Sequence, residues 1–205
     1  RSCTNGFTGI KNPYFEGYSI DEDFTLQQKN KLFELTDNKK GSIKTPYSYF
    51  NHIDSPCIIS YCNNKYFAYF RLNTKMGGRQ IQYTCSEDMT NWDKYKLLKI
   101  KGFDIDVDHI YHPNIFNYEN TKYMIGLIKH HNKNMKRLSY DIIMSKNGID
   151  FQYVSTLLSI DSDSMYPINE NGVTIEFFNF MNGLVEYNNK FNLYFIEFLN
   201  QELLS

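Results

Sequence analysis

Long apolar runs are missing from this sequence. None approaches the roughly 18 residues that a membrane-spanning helix needs. Excess charge of one sign is missing too: the net charge is −1, with no basic stripe, which argues against a nucleic-acid partner. The first residues, "RSCTNGF", lack the charged start and apolar core of a secretory signal. They also lack an initiator Met, so a fragment or a processed chain is the expectation. There are four cysteines, and none falls in a zinc-type spacing. Cys57 and Cys62 sit too far apart along one short strand to bridge each other, Cys85 falls on a neighbouring strand, and Cys3 is remote. Buried free thiols in a reducing compartment are expected. With no visible leader, this leans toward a cytoplasmic chain, an argument that an incomplete N-terminus would weaken.

What is abundant is aromatic. The 205 residues include 17 Tyr and 16 Phe, 41% are apolar and 22% charged, the balance of a globular chain. Tyr and Phe favour pleated, half-buried surfaces, so the excess points to sheet. It also suits a site that stacks sugar rings.

Three segments align: "CIISYCNNKYFAYFRL" from Cys57, "NIFNYENTKYMIGLI" from Asn114 and "GLVEYNNKFNLYFIEF" from Gly183. Each is an apolar run, a turn containing Asn, then an aromatic-rich run, the signature of a β-hairpin. The turns fall near Asn63, Asn120 and Asn189, a period of roughly 55 to 70 residues. After the first hairpin come "RQIQYTC", "SEDMTNW" and "DKYKLLKI"; after the second come "RLSYDIIM", "SKNGIDF" and "QYVSTLLSI". Each unit thus offers four strands, with the polar phrase turning the third into the fourth. Its Asp or Asn bonds nearby amides, Gly148 takes a positive φ, and the aromatic packs back over the turn, which makes Trp92 a packing residue.

Four-stranded units that stack on their neighbours make a β-propeller. The chain is therefore expected to be all-β, a single propeller domain or fragment over 1–205. Residues 1–50 would be the outer part of a preceding blade, 51–105 and 106–165 two blades, and 166–205 the start of the next. "NPYFEGYSIDEDFTLQQKNKLFEL" reads as two strands joined at Asp21 to Asp23, with a short helix over "LQQKNKLFEL" as the alternative.

"DSPCIISYCNNKYFAYFRLN", "IQYTCSEDMTNW" and "YHPNIFNYENTKYMIGLI" resemble the blade openings and turn of five-bladed β-propeller glycoside hydrolases of families 43 and 32. The resemblance covers roughly residues 50 to 200. It implies a central-channel site with three carboxylates: an Asp as base or nucleophile, a second Asp that orients and tunes, and a Glu as general acid. Cleavage needs such a set because the leaving oxygen must be protonated while the opposite face of the sugar is attacked.

Register counting supplies candidates independently. With Asn63 and Asn64 as the turn, Cys62 pairs with Lys65, Asp54 falls opposite Asn73, and Pro56 opposite Arg71. Asp54, Arg71 and Asn73 thus converge, and the arginine would hold the aspartate ionised. A loop-closing salt bridge is the plainer account. "DIDVDHIYHPNIF" brings Asp108, His109, Tyr111 and His112 to the second opening, with Lys129, His130 and His131 at the end of the next strand. By the resemblance Asp108 is the tuning carboxylate, with Asp104 and Asp106 as competitors, and His109 or His112 bonds a sugar hydroxyl. A solvated acidic loop with surface histidines is the alternative. Glu176 is the candidate acid although it stands several positions early, near Met181 being the expected place; Glu197 is its rival, and Glu186 lies within the inner strand. Arg79, opening the third strand, reads as a loop or edge residue.

The catalytic set is thus Asp54, Asp108 and Glu176, with Arg71, Asn73, His109, Tyr111, His112 and His130 as binding residues. No metal or other cofactor is expected, and nothing in the sequence supports a channel-bound Ca2+. The expected partner is an oligo- or polysaccharide, together with further blades or domains of a larger chain, and neither nucleic acid nor membrane. A non-catalytic glycan-binding or scaffold propeller is the alternative function, and a protein-interaction propeller the third.

Overall fold

The computed structural model describes residues 14–20, 26–34, 59–73, 78–117, 122–163, 179–180, 185–188, 190–192 and 195–196. All regular structure among them is β, with no helix. The chain divides into two units, Arg1–Leu98 and Lys99–Ser205.

In the first unit, β1 (Tyr14–Ile20) and β2 (Leu26–Glu34) form an antiparallel hairpin. Leu26–Glu34 of "LQQKNKLFEL" is therefore strand, not the alternative helix. Then come β3 (Ile59–Cys62), β4 (Lys65–Asn73), β5 (Arg79–Ser86) and β6 (Lys96–Leu97), in the sheet order β3-β4-β5-β6. Asn63 and Asn64 both take positive φ, 49° and 60°, the two left-handed residues that a tight hairpin turn requires. Cys62 pairs with Lys65 and Ile59 with Ala68, the register counted from the sequence.

β4 is buried on both faces. Phe67 and Tyr69 lie on one, with Tyr83 of β5 beside Tyr69. Ala68 and Phe70 lie on the other, in a cluster with Trp92 and Tyr95. Cys62 and Cys85 are buried and not joined in a disulfide, held apart by the intervening β4. Burial raises the pKa of both thiols, that of Cys85 to about 11 with help from its hydrogen bond to Asp93 Oδ2. Cys3 and Cys57 lie outside the described residues.

The second unit holds β7 (Ile100–Lys101), β8 (Asp108–Asn117), β9 (Met124–Asn132), β10 (Arg137–Ser145) and β11 (Phe151–Asp161), ordered β7-β11-β10-β9-β8. All pairs are antiparallel except β7–β11. Smaller pairs follow: β12 (Asn179–Phe180) with β15 (Phe195–Ile196), and β13 (Val185–Tyr187) with β14 (Lys190–Asn192), whose turn includes Asn188 at φ 53°. The run "DKYKLLKI" is not one strand. Lys96–Leu97 joins β5, the Leu98 amide bonds Ile81 O at 2.9 Å, and Ile100–Lys101 passes to β11. Gly102, at φ 104°, then turns the chain toward β8.

The two polar phrases fold alike. Asp88 Oδ1 accepts from the Thr90 and Asn91 amides at 2.8 and 2.7 Å, and Asn147 Oδ1 from the Ile149 and Asp150 amides at 3.0 and 2.8 Å. Ser86 and Ser145 bond the same Asp88 and Asn147. Met89 and Gly148 take the positive φ, 59° and 77°. Trp92 and Phe151 then pack inward, and the indole N–H donates to Met89 O at 3.0 Å. These amide bonds hold the exposed Asp88 carboxyl well below the ordinary range, the Asn91 amide contributing most. Both phrases are built as turns.

Candidate functional site

Among the described residues, a dense buried polar group lies on one face of the sheet β8 to β11. Alternation along a strand puts every second side chain on one face. Asp108 pairs with Asn132 and Ile110 with His130. His130 pairs in turn with Ser139, and Asp141 with Thr156 of β11. One face therefore carries Asp108, Asn132, His130, Ser139, Asp141 and Thr156.

His130 is the hub. Its Nε2 lies 2.8 Å from Asp108 Oδ1 and its Nδ1 2.7 Å from Asp141 Oδ2. Asp108 Oδ1 also accepts from Asn132 Nδ2 at 2.5 Å, and Oδ2 from the Asp104 amide at 2.6 Å. Asp141 accepts from Ser139 Oγ at 3.1 Å and Thr156 Oγ1 at 2.7 Å. Thr156 Oγ1 accepts from an Arg137 guanidinium N–H at 3.1 Å and lies 3.0 Å from the Tyr153 hydroxyl. The turn 102–107 covers the hub: Phe103 stacks on the imidazole with centroids 4.3 Å apart. Asp104 holds that turn by accepting from the Asp106, Val107 and Asp108 amides.

Burial disfavours the His130 cation, but the bonds to Asp108 and Asp141 outweigh it and raise the pKa. Burial likewise pushes the Asp108 pKa up, and the bonds from His130, the Asp104 amide and Asn132 override it, leaving it below the ordinary value.

His109 and Tyr111 fall on the opposite face from Asp108. There His109 packs edge-on against His131, centroids 6.2 Å apart, and His131 lies 3.1 Å from Ser162 O. Burial lowers the His131 pKa. The β8–β9 register shifts between Tyr111 and Asn114, so His112 sits in an irregular stretch of β8; its side chain is outside the described set. In the first unit Arg71 pairs with Ile81 and Asn73 with Arg79. Asp54, Glu176 and Glu197 lie outside the described residues. The structure thus brings Asp108 and His130 together and divides them by the pleat from His109 and Tyr111. Asp141, which completes the group, escaped sequence reasoning. Its available signal was Ser139-x-Asp141, one face of a strand lying beside an apolar strand that ends in His130.

No protein-family model matches the chain, and no curated protein does. Solved structures do. The chain folds like part of a family 32 glycoside hydrolase. A GH32 β-fructofuranosidase from Bombyx mori matches 90% of this chain at a TM-score of 0.50 and 12% identity. A mutant of a Bombyx mori GH32 β-fructofuranosidase in complex with sucrose matches 76% at 0.46 and 14%. Sucrose-6-phosphate hydrolase from Lactobacillus gasseri matches 95% at 0.48 and 13%. The chain spans 38%, 30% and 39% of those proteins, well under half of each. The first of these shows a likeness of fold, that of a β-propeller-like all-β chain.

Proposed function

We propose that this chain is part of a glycoside hydrolase-like propeller that cleaves or binds a saccharide at a central channel. The observation that carries the reading is the fold likeness to the Bombyx mori β-fructofuranosidase over 90% of the chain. In this proposal Asp54 is base or nucleophile, Asp108 the orienting carboxylate and Glu176 the general acid, with Glu197 its rival. Arg71 and Asn73 would serve the Asp54 end, and His109, Tyr111 and His112 would contact sugar hydroxyls. The burial of Asp108 and the three donors on its carboxylate support an orienting role over a reacting one. Both ring nitrogens of His130 already face carboxylates, so His130 would act on Asp108 and not on the sugar.

The test is hydrolysis of a panel of fructosides and other glycosides by the wild type and Asp54→Asn. Loss of turnover in the variant, with its circular dichroism unchanged, is expected. Unchanged turnover would remove Asp54 from the mechanism. Saccharide retention without turnover by the wild type would point to the non-catalytic glycan-binding alternative.

A further inference from the structure

We propose that His130 is a standing imidazolium, a buried cation that braces β8, β9 and β10 through Asp108 and Asp141, and that the brace opens when the ring loses its proton at alkaline pH. The reading is independent of whether the chain acts on a saccharide.

The hydrogen bonds carry it. Asp141 accepts from two hydroxyls, Ser139 Oγ and Thr156 Oγ1, and Asp108 from an amide N–H and the Asn132 NH2. All these donors fit carboxylates acting as acceptors. Each carboxylate also faces one nitrogen of the same ring, at 2.7 and 2.8 Å. A neutral imidazole has one N–H and one lone pair, so it satisfies one carboxylate and sets its lone pair against the other. Only the doubly protonated ring donates to both.

Charge points the same way. The groups facing His130 are Asp108 from β8, Asp141 and the Ser139 hydroxyl (3.4 Å from Nδ1) from β10, and the Phe103 ring from the covering turn; Arg137 stands behind Asp141 through Thr156 of β11, whose Oγ1 also meets the Tyr153 hydroxyl, and the Asp104 amide stands behind Asp108. His131 is the next residue, on the opposite face. With His130 protonated, Arg137 and His130 balance Asp108 and Asp141; with it neutral, one buried negative charge is left over, which is costly at low dielectric. The Phe103 face over the ring suits a cation.

A histidine whose folded pKa is raised contributes stability that is whole below its unfolded value of about 6.5 and fades as pH rises through the folded value. Asp108 works in reverse. Its pKa is lowered, so its contribution is whole above the ordinary carboxylate range and fades as pH falls through its folded value. The brace is therefore complete between the folded value of Asp108, below the ordinary carboxylate range, and that of His130, above the ordinary imidazole value.

The test uses the full chain, labelled with 15N in histidine. Long-range 1H–15N spectra at about pH 7.5, a unit above the ordinary histidine value, should show one ring with both nitrogens protonated, assigned to His130 by contacts to the Phe103 ring. A neutral ring there overturns the proposal. In parallel, the urea midpoint is followed from about pH 6.5 upward for the wild type, Asp141→Asn and His130→Gln. The wild type should lose midpoint with rising pH beyond any loss in His130→Gln, and Asp141→Asn should begin its loss at lower pH. An identical alkaline loss in wild type and His130→Gln also overturns it. Should His130→Gln fail to fold, the spectrum of the unmodified chain decides alone.

Discussion

Gly126 sits in β9 between two buried isoleucines, and its replacement by alanine tests the packing of the second unit directly. In an ordinary strand the change would stabilise by about 0.5–1 kcal/mol, because glycine loses more backbone freedom on folding. Here a Cβ would come within 2.5 Å of Ile143 Cγ1, 2.9 Å of Ile143 Cδ1 and 3.2 Å of Ile115 Cγ1. Ile143 and Ile115 are both fully buried, so neither can swing into solvent. Overpacking of this kind costs about 1–3 kcal/mol, and at a 2.5 Å approach the cost outweighs the entropic gain, leaving a net loss of up to about 2.5 kcal/mol. Ile143→Ala alone leaves a cavity and costs about 2–5 kcal/mol. It also removes both clashing atoms, so in the double variant the new methyl group occupies the space they left. The two losses should therefore sum to at least about 1 kcal/mol more than the double variant loses, a coupling typical of residues in contact. Urea denaturation followed by circular dichroism measures all four proteins. A more stable Gly126→Ala, or strict additivity with Ile143→Ala, would refute the close packing of β8, β9 and β10 at this point.

Two further outcomes concern the first unit. Cys62 and Cys85 should resist a thiol-alkylating reagent in the native protein at about pH 8, where an ordinary thiol of pKa about 8.5 reacts readily, and both should label fully in urea; peptide mass spectrometry separates them from Cys3 and Cys57. Rapid native labelling of Cys85 would contradict its burial and its pKa of about 11. Trp92→Ala should cost about 3–5 kcal/mol, because it empties a core site against Phe70 and Tyr95. Trp92→Phe should cost less, and saccharides that bind should leave Trp92 fluorescence unshifted; a near-neutral Trp92→Ala would remove the indole from the core.

Much of the fold was legible because turn chemistry and alternation are local. Two asparagines bounded by apolar runs set the β3–β4 register, and the two polar phrases located the turns after β5 and β10. The fourth strand of the first unit was over-read. "KLLKI" has strand composition, but which sheet its residues join depends on partners distant in sequence, and Ile100–Lys101 runs parallel to β11. The candidate site was half legible. Asp108 and His130 stood out as polar residues beside apolar runs. Asp141 did not, because in "RLSYDIIM" an alternating polar residue looks solvent-facing. Its burial at 2% exposure reflects the covering turn and β11, which no local pattern announces. Asp54 and Glu176 remain proposals, resting on register counting for the first and on family resemblance for the second.

Comparison of the two larger sheets shows that the Asp–His–Asp group is not demanded by strand layout. Counting back from the turn serines Ser86 and Ser145 aligns Phe70 with Ile128, Gln82 with Asp141, Leu72 with His130 and Gln80 with Ser139, since Phe70 pairs with Gln82 as Ile128 pairs with Asp141. The first sheet thus reaches the same hairpin-and-turn arrangement with a buried leucine where the second has a histidine, and with a glutamine whose side-chain amide bonds Arg71 O where the second has Asp141. Buried charges cost desolvation, and replacing them with well-packed apolar groups is often neutral or stabilising. A chain that needed only a second sheet of this kind had a cheaper solution within its own sequence. Strand layout alone therefore does not call for the group; what sets it apart is that, besides bracing β8, β9 and β10, it fixes the Asp108 carboxylate at the start of β8 and the turn 102–107 over it.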